Sequence, residues 1–437
     1  MYRNLIFGID TLVPIRNGKK VPYINFDNGA TTPPFSSVIN GINNFAPWYS
    51  SIHRGTGYKS VLSSDFYDKS RNVVLNFVKG DPRYHEVIFV KNTTEAINKL
   101  SYRLFEEDKD DVILSTFMEH HSNDLPWRNK YKVDYIDIDT FGRLSLDDLE
   151  YKLKKYNGKV KLVAVTGASN VTGYINPIYK IARIAHKYNA KILVDGAQLI
   201  PHYPVDMKPI NSNSHIDYLA FSAHKMYAPF GTGVLIGPRE TFVKGDPEFV
   251  GGGTVSIVTP DFVIWENPPN KEEAGTPNIM GVVALMASIK NLRDIGMENI
   301  HEYEELLTNY TLEKIKNIPN INLYCDKTIN NRVSIIPFNI EGIHHEIVAK
   351  ILASEGGIAV RSGCFCAQPY IQKLLKIDPK DIEKYKDDST LPRPGMVRVS
   401  FGLYNNFEEI NIFIELLREI ALNREKYNTK YRKPLFF

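Results

Sequence analysis

From Val87 onward short apolar runs alternate with segments whose apolar residues recur at helical spacing. The runs at residues 87–91, 111–116, 161–166, 191–195, 216–222 and 233–237 predict strands, being rich in Val, Ile and Leu and bounded by polar or turn-forming residues. Residues 177–189 predict a helix between two of them. Pro177 suits a first helical turn, Ile178, Ile181, Ala182 and Ala185 share one face, and Lys180, Arg183 and Lys187 point away from it. Apolar strands separated by amphipathic helices predict an α/β unit with a largely parallel sheet covered on both faces, and such sheets collect ligands at the carboxyl ends of their strands. A long helical stretch over residues 281–318, interrupted near Gly296, leads into a second unit. There a strand at 333–340, a helix at 344–355, a strand at 358–361 and a helix from about Asn406 predict an α+β arrangement. The charged, proline-containing segment 378–394 reads as a long loop.

Composition narrows the function classes. The 437 residues carry 53 Lys+Arg against 50 Asp+Glu, and 43% are hydrophobic, which fits a folded chain of more than one core. A net charge of +3 with interspersed signs argues against a nucleic-acid partner, and the basic stretch from Arg424 to Lys433 reads as solvated. No apolar run reaches the roughly 18 residues of a membrane span, and the N-terminus does not read as a signal peptide. Three cysteines, Cys325, Cys364 and Cys366, are too few for a disulfide framework, so a reducing, cytoplasmic setting is expected.

The chemistry concentrates in ILVDGAQ and DYLAFSAHKMYAPFGTG. One predicted strand ends in Asp195 with Gln198 shortly after, and another ends in Ser222, followed by His224 and Lys225. A lysine after a buried strand is costly unless its amine is used, and one use is a Schiff base with pyridoxal phosphate (PLP), whose ring nitrogen needs a carboxylate partner such as Asp195. Read blandly, Asp195 is a loop residue and Lys225 a surface lysine. Thr93 and Thr94 open a predicted helix after the first strand, as an anion site or as a simple N-cap. His120 and His121 follow another strand, where an imidazole can stack on a planar cofactor and carry protons. They lack metal-ligand spacing, and no metal is expected. The run GTGVLIG precedes a strand instead of opening a helix, which excludes a dinucleotide fingerprint.

Further stretches, in order, are YINFDNGATTPP, SIHRGTG, NTTEAIN, MEHHSNDLPW, SNVTGYINP, EAGTPN, VRSGCFCAQP and VRVSFGLYN. With the two above, they resemble the class V aminotransferases of PLP fold type I, and most closely the SufS/NifS-like cysteine desulfurases and selenocysteine lyases. The resemblance implies a large domain over residues 21–295 with a mostly parallel seven-stranded sheet, a smaller C-terminal α+β domain over 296–437, and an N-terminal arm, 1–20, packed with the small domain. It also implies PLP as cofactor and a homodimer. Lys225 resembles the Schiff-base lysine, Asp195 the partner of the ring nitrogen, Gln198 a donor to the phenolic oxygen and His120 the stacking imidazole. Thr93, Thr94, Ser222 and His224 correspond to phosphate-side residues, with Thr276 reaching in from the other subunit. Asn170 and Arg398 correspond to the carboxylate-binding pair, Arg398 through two parallel hydrogen bonds, and Ala30, His53 and Arg54 to further substrate contacts. Cys366 matches the mobile cysteine that takes sulfur from L-cysteine, leaving alanine and passing the sulfur to an acceptor or scaffold protein. Cys364 is an extra thiol, and the CxC pair also reads as two buried small hydrophobes, a redox pair or half a metal site, with no second Cys or His pair nearby to complete a zinc site. Another PLP reaction, such as selenocysteine lysis, epimerisation or transamination, is the alternative in which Cys366 is not used. The 31 residues between Cys366 and Arg398 are more than SufS-type members have there.

Overall fold

The computed structural model describes residues 2–107, 109–326, 331–388 and 390–431. Its main sheet has seven strands: β1 (His85–Val90), β2 (Val112–Thr116), β3 (Lys132–Ile136), β4 (Val160–Thr166), β5 (Lys191–Asp195), β6 (Tyr218–Ser222) and β7 (Gly233–Pro238). They lie in the order β1-β7-β6-β5-β4-β2-β3. Strands β2 to β6 run parallel, and β7 is antiparallel to both of its neighbours. Strand β6 is buried throughout and β4 and β5 almost so, which is why they read as continuous apolar runs.

The sheet has one strand more than the hydrophobic pattern predicts. Strand β3 sits at the sheet edge with Lys132 exposed, and Asp134 pairs with Lys152 and Lys155. Charge on an edge strand discourages pairing with other chains, and it also breaks the apolar run that would have marked the strand. The helix Ile178–Lys187 buries the four residues assigned to its inner face. Each of its two isoleucines contributes about 2 kcal/mol by leaving water.

The helices Ile279–Ile295 and Met297–Ile315 are joined at Gly296, whose φ of +90° turns the chain. A four-stranded antiparallel sheet follows, in the order Ile321–Leu323, Ile335–Ile340, Met396–Ser400, Arg361–Gly363. The helices His345–Gly356 and Phe407–Leu422 pack with it around Phe338, Ile351, Val399 and Phe413, a core that also takes Ile24 and Phe26. The N-terminal hairpin Leu12–Pro14/Lys20–Pro22 is tied to this unit by Arg16, whose N–H donates to the carbonyl of Ser354 at 2.8 Å.

Two expectations for this unit are corrected. The single strand at 358–361 is two: Ile358–Ala359 pairs in parallel with Ile24–Asn25, whereas Arg361–Gly363 pairs antiparallel with Met396–Ser400. The segment 378–394 is not a loop throughout, because Pro379–Asp387 is helical. Asp378 caps that helix by accepting the Lys380 N–H at 2.9 Å, Pro379 occupies the first turn, and Lys384 pairs with Asp381. This helix buries no residue, so it carries no apolar face to announce it.

Glu273, in EAGTPN, binds Arg71 through both oxygens at 2.7 and 3.0 Å and also accepts from Tyr67 Oη and the Phe89 N–H. Arg71 and Glu273 are both nearly sealed from solvent. Glu273→Ala is expected to destabilise the fold by about 3–5 kcal/mol, because it strands a buried guanidinium. Equilibrium denaturation checks this, and an unchanged midpoint would mean that water replaces the carboxylate. No helix among the described residues is long and apolar enough to cross a membrane.

Candidate active site

Strand order reverses between β2 and β4, and a crevice forms at such a point because the flanking connections leave on opposite sides. A cavity of about 360 Å³ lies there, at the carboxyl ends of β2, β4, β5 and β6. His120 and Ser122 enter it from the segment after β2, Ala168 and Asn170 from that after β4, Asp195 and Gln198 from β5 onward, and Ser222, His224 and Lys225 from β6 onward. Ala30 closes one side, and Arg398 and Cys366 arrive from the second unit.

The charges in the cavity are shaped by burial. The Lys225 amine is brought down to about 8 by burial, helped by Arg398 and opposed by Asp195. Burial raises the Asp195 carboxyl, against the N–H of Ala197, which donates to Oδ1 at 2.9 Å, and against Lys225. Burial and then Lys225 bring His120 down to about 3 and His224 down to about 4. Both imidazoles are therefore neutral near pH 7. His120 Nδ1 accepts the Ser122 N–H at 3.1 Å, so its proton sits on Nε2.

The phosphate-side residues converge at the start of the helix Thr93–Leu104. Asn92 caps it by accepting the Glu95 N–H at 3.0 Å. Ser222 Oγ lies 2.7 Å from Thr93 Oγ1 and accepts the Thr93 N–H at 2.8 Å, while Thr94 Oγ1 is 2.7 Å from Ser122 Oγ. Gly233 is required beside them, since a Cβ there would lie 2.6 Å from the Asn92 Cα.

On the opposite wall, Arg398 donates from Nη1 to the Asn170 carbonyl at 2.8 Å and from Nη2 to Asp27 Oδ1 at 3.3 Å, with Phe365 under its guanidinium. Burial lowers its pKa to about 10, opposed by Asp27. Gln198 donates to the Gly29 carbonyl at 2.6 Å, and its buried Oε1 has no partner.

Cys366 is exposed at the cavity edge, whereas Cys364 is half-buried. Phe365 and Cys366 have φ of +51° and +55°, two consecutive left-handed residues that cost roughly 1–2 kcal/mol each. The bend is held through its two carbonyls. Asn170 Nδ2 donates to the Phe365 carbonyl and the His121 N–H to the Cys366 carbonyl, both at 2.6 Å.

Three predicted site residues lie elsewhere. Thr276, His53 and Arg54 are exposed and do not line this cavity; His53 faces Asp68 and Arg54 donates to the Val255 carbonyl. Other residues at the site were not singled out from sequence. Asp27 and Gly29 sat inside FDNGATTPP, Ser122 beside the histidine pair, and Phe365 between the two cysteines. Glu119 was missed as well. It is buried, accepts from Thr116 Oγ1, the Thr166 N–H and Asn123 Nδ2, and is still raised to about 8 by burial.

The aminotransferase class-V family model matches residues 24–413, nearly the whole chain and every segment of the cavity. The chain belongs to this family. It is 35% identical over 413 residues to a "Probable cysteine desulfurase" of Mycolicibacterium paratuberculosis, covering 93% of this chain but only 56% of that relative's length. A "Cysteine desulfurase" of Haloferax volcanii is 33% identical over 404 residues, 91% of this chain and 89% of that one. Among solved structures, the apo cysteine desulfurase of Thermococcus onnurineus NA1 superposes with a TM-score of 0.80 at 33% identity, covering 92% of this chain and 95% of that chain. The class V fold is thus that of fold type I, with a mostly parallel seven-stranded sheet and a smaller C-terminal unit.

Proposed function

We propose that this chain is a PLP-dependent cysteine desulfurase that converts L-cysteine to L-alanine and keeps the sulfur as a persulfide on Cys366. The observation that carries the reading is an exposed thiol, held on a strained bend, beside a cavity that already contains the amine of half-buried Lys225, a buried carboxylate and a buried guanidinium. Relatives at about one-third identity that are named cysteine desulfurases support it.

The residues present fit the cofactor. Gln198 Nε2 keeps a second N–H, beyond the one on the Gly29 carbonyl, that would donate to the phenolic oxygen, its unpartnered Oε1 is an acceptor still open to a donor, and the Asp195 carboxylate is kept buried where a protonated ring nitrogen would pair with it. Lys225 would anchor the group covalently, His120 would cover its ring, and Thr94, Ser222 and His224 would face its phosphate at a helix start. Bound PLP supplies an electron sink for the pair released when the substrate Cα loses its proton.

The remaining chemistry belongs to the chain. Arg398 has donors left beyond those on Asn170 and Asp27, and it holds the substrate carboxylate with Asn170 beside it. The Lys225 amine, whose neutral form burial favours, takes the Cα proton. Cys366 Sγ, as thiolate, bonds to the substrate sulfur while the substrate C–S bond breaks. His120, protonated on Nε2, is placed to deliver a proton to the carbon fragment that leaves as alanine. Sulfur then passes to the thiol of an acceptor protein.

Thr276, His53 and Arg54 serve the site of a second copy in a homodimer. The exposed Ile257, Val258, Phe262, Val263 and Ile264, on the hairpin whose Val255 carbonyl binds Arg54, support an interface there. We also infer two domains dividing near residue 295, preceded by the 1–20 arm, and a cytoplasmic setting.

Purified protein given L-cysteine and a reductant is expected to release alanine and sulfide in equal amounts, and alanine without sulfide would sink the assignment. Because only the neutral amine attacks an aldehyde, uptake of PLP by cofactor-free protein should speed up with rising pH and level off above about 8. An unperturbed lysine would keep accelerating towards about 10.4. Stopped-flow absorbance decides between the two profiles.

A further inference from the structure

At the other end of the sheet, away from the cavity, lies a cluster that the proposed function does not use. Asp217 immediately precedes β6, His186 is in the last turn of the helix Ile178–Lys187, and His215 is in the connection between β5 and β6. Their ligating atoms lie within 4.8 Å of one another, and among the described residues no other trio of His, Cys, Asp or Glu does so.

We propose that His186, His215 and Asp217 form a binding site for a divalent transition-metal ion of the zinc or cobalt type. The hydrogen bonds carry the argument. His186 Nδ1 is 2.9 Å from the Asn213 carbonyl, and His215 Nδ1 is 2.7 Å from the Ser212 carbonyl. A carbonyl only accepts, so both Nδ1 atoms carry protons, and in each neutral ring Nε2 is a bare lone pair. Yet His186 Nε2 lies 2.8 Å from Asp217 Oδ2, and His215 Nε2 lies 3.4 Å from Oδ1. Without a cation, lone pairs on nitrogen and oxygen would face one another. One extra proton would relieve only one of these contacts, and two would set one imidazolium over the other, since the rings stack with centroids 4.2 Å apart and planes at 23°.

A single divalent ion satisfies all three groups at once. Two imidazole nitrogens and a carboxylate oxygen are a zinc-like donor set, and a backbone carbonyl on the far nitrogen of each ring is the support that aims ligating histidines. The Ile192 N–H, donating to Asp217 Oδ2 at 2.9 Å, fixes the carboxylate in the same way. The two rings keep 17% and 15% exposure, enough for an ion to enter and for water to complete its coordination. Bound metal would tie the β5–β6 connection to the helix end, far from the chemistry. Sequence spacing hides the site, since His186 lies 29 residues before His215.

The test uses untagged, PLP-loaded protein titrated with cobalt(II). The expected result is one equivalent bound with visible ligand-field bands, displaced by zinc and absent in both His215→Gln and His186→Gln. Zinc should also raise the thermal midpoint of the wild type but of neither variant, with turnover of L-cysteine unchanged by either substitution. No cobalt uptake by the wild type would overturn the proposal, whatever the variants do. So would bands that survive both histidine substitutions and vanish in Cys366→Ala, which would place the metal on the thiol.

Discussion

Lys225→Ala is expected to lower alanine formation from L-cysteine by a factor on the order of 10⁴, with loss of the visible band of the lysine-anchored cofactor. The size follows from the two roles that the proposed mechanism gives one amine. Lys225 is the only lysine among the described residues lining the cavity, and burial has brought it down to about 8, so roughly a tenth of it is neutral at pH 7, far more than of an ordinary lysine near about 10.4, to anchor a carbonyl and to accept a Cα proton. Neither imidazole replaces it. His224 is neutral but is assigned to the cofactor's phosphate in the proposed reading, and His120 offers an Nε2 that already bears its proton. Steady-state alanine assays with matched absorbance spectra measure both losses. A residual rate within about tenfold of wild type would assign the proton transfer elsewhere.

The second large effect belongs to the thiol. Cys366→Ala is expected to lower sulfide release by about 10²–10³-fold while PLP stays bound, because the proposed mechanism loses its nucleophile and none of the residues assigned to the cofactor. Alanine is the right replacement for the backbone as well. It keeps a Cβ at φ +55°, so the strained bend and the His121–Cys366 hydrogen bond are not given a new conformational preference. Cys364→Ala is the control. That residue is half-buried and packs with the cluster around Phe365 and Tyr370, so sulfide release should be unchanged. Product assays on the two variants, read beside their cofactor spectra, separate transfer through Cys366 from a reaction that needs only Lys225 and Asp195. Turnover indifferent to Cys366 would leave the class V fold in place and reject the desulfurase reading.

The amino-acid pattern by itself determined the parallel core, because strands buried on both faces must be apolar throughout and the helices covering them must be amphipathic. Six of the seven main strands and the helix over Ile178–Lys187 were legible for that reason. Asp195 and Lys225 were legible too, since an ionisable residue at the end of a buried strand contradicts its surroundings. The edge strand Lys132–Ile136 and the exposed helix Pro379–Asp387 were not, because neither has a fully buried side and so neither writes an apolar period into the sequence. Tertiary structure alone decided the rest. Arg398 lies 203 residues from Asp195, and only the packing of the second unit on the first brings its guanidinium to the Asn170 carbonyl and puts Cys366 at the same cavity. The same holds for His186, which lies 29 residues before His215 and meets it and Asp217 because a helix end, a connection and a strand start coincide at the amino ends of β5 and β6. Local propensity sees neighbours along the chain, whereas charge pairing, desolvation and ligand geometry depend on neighbours in space.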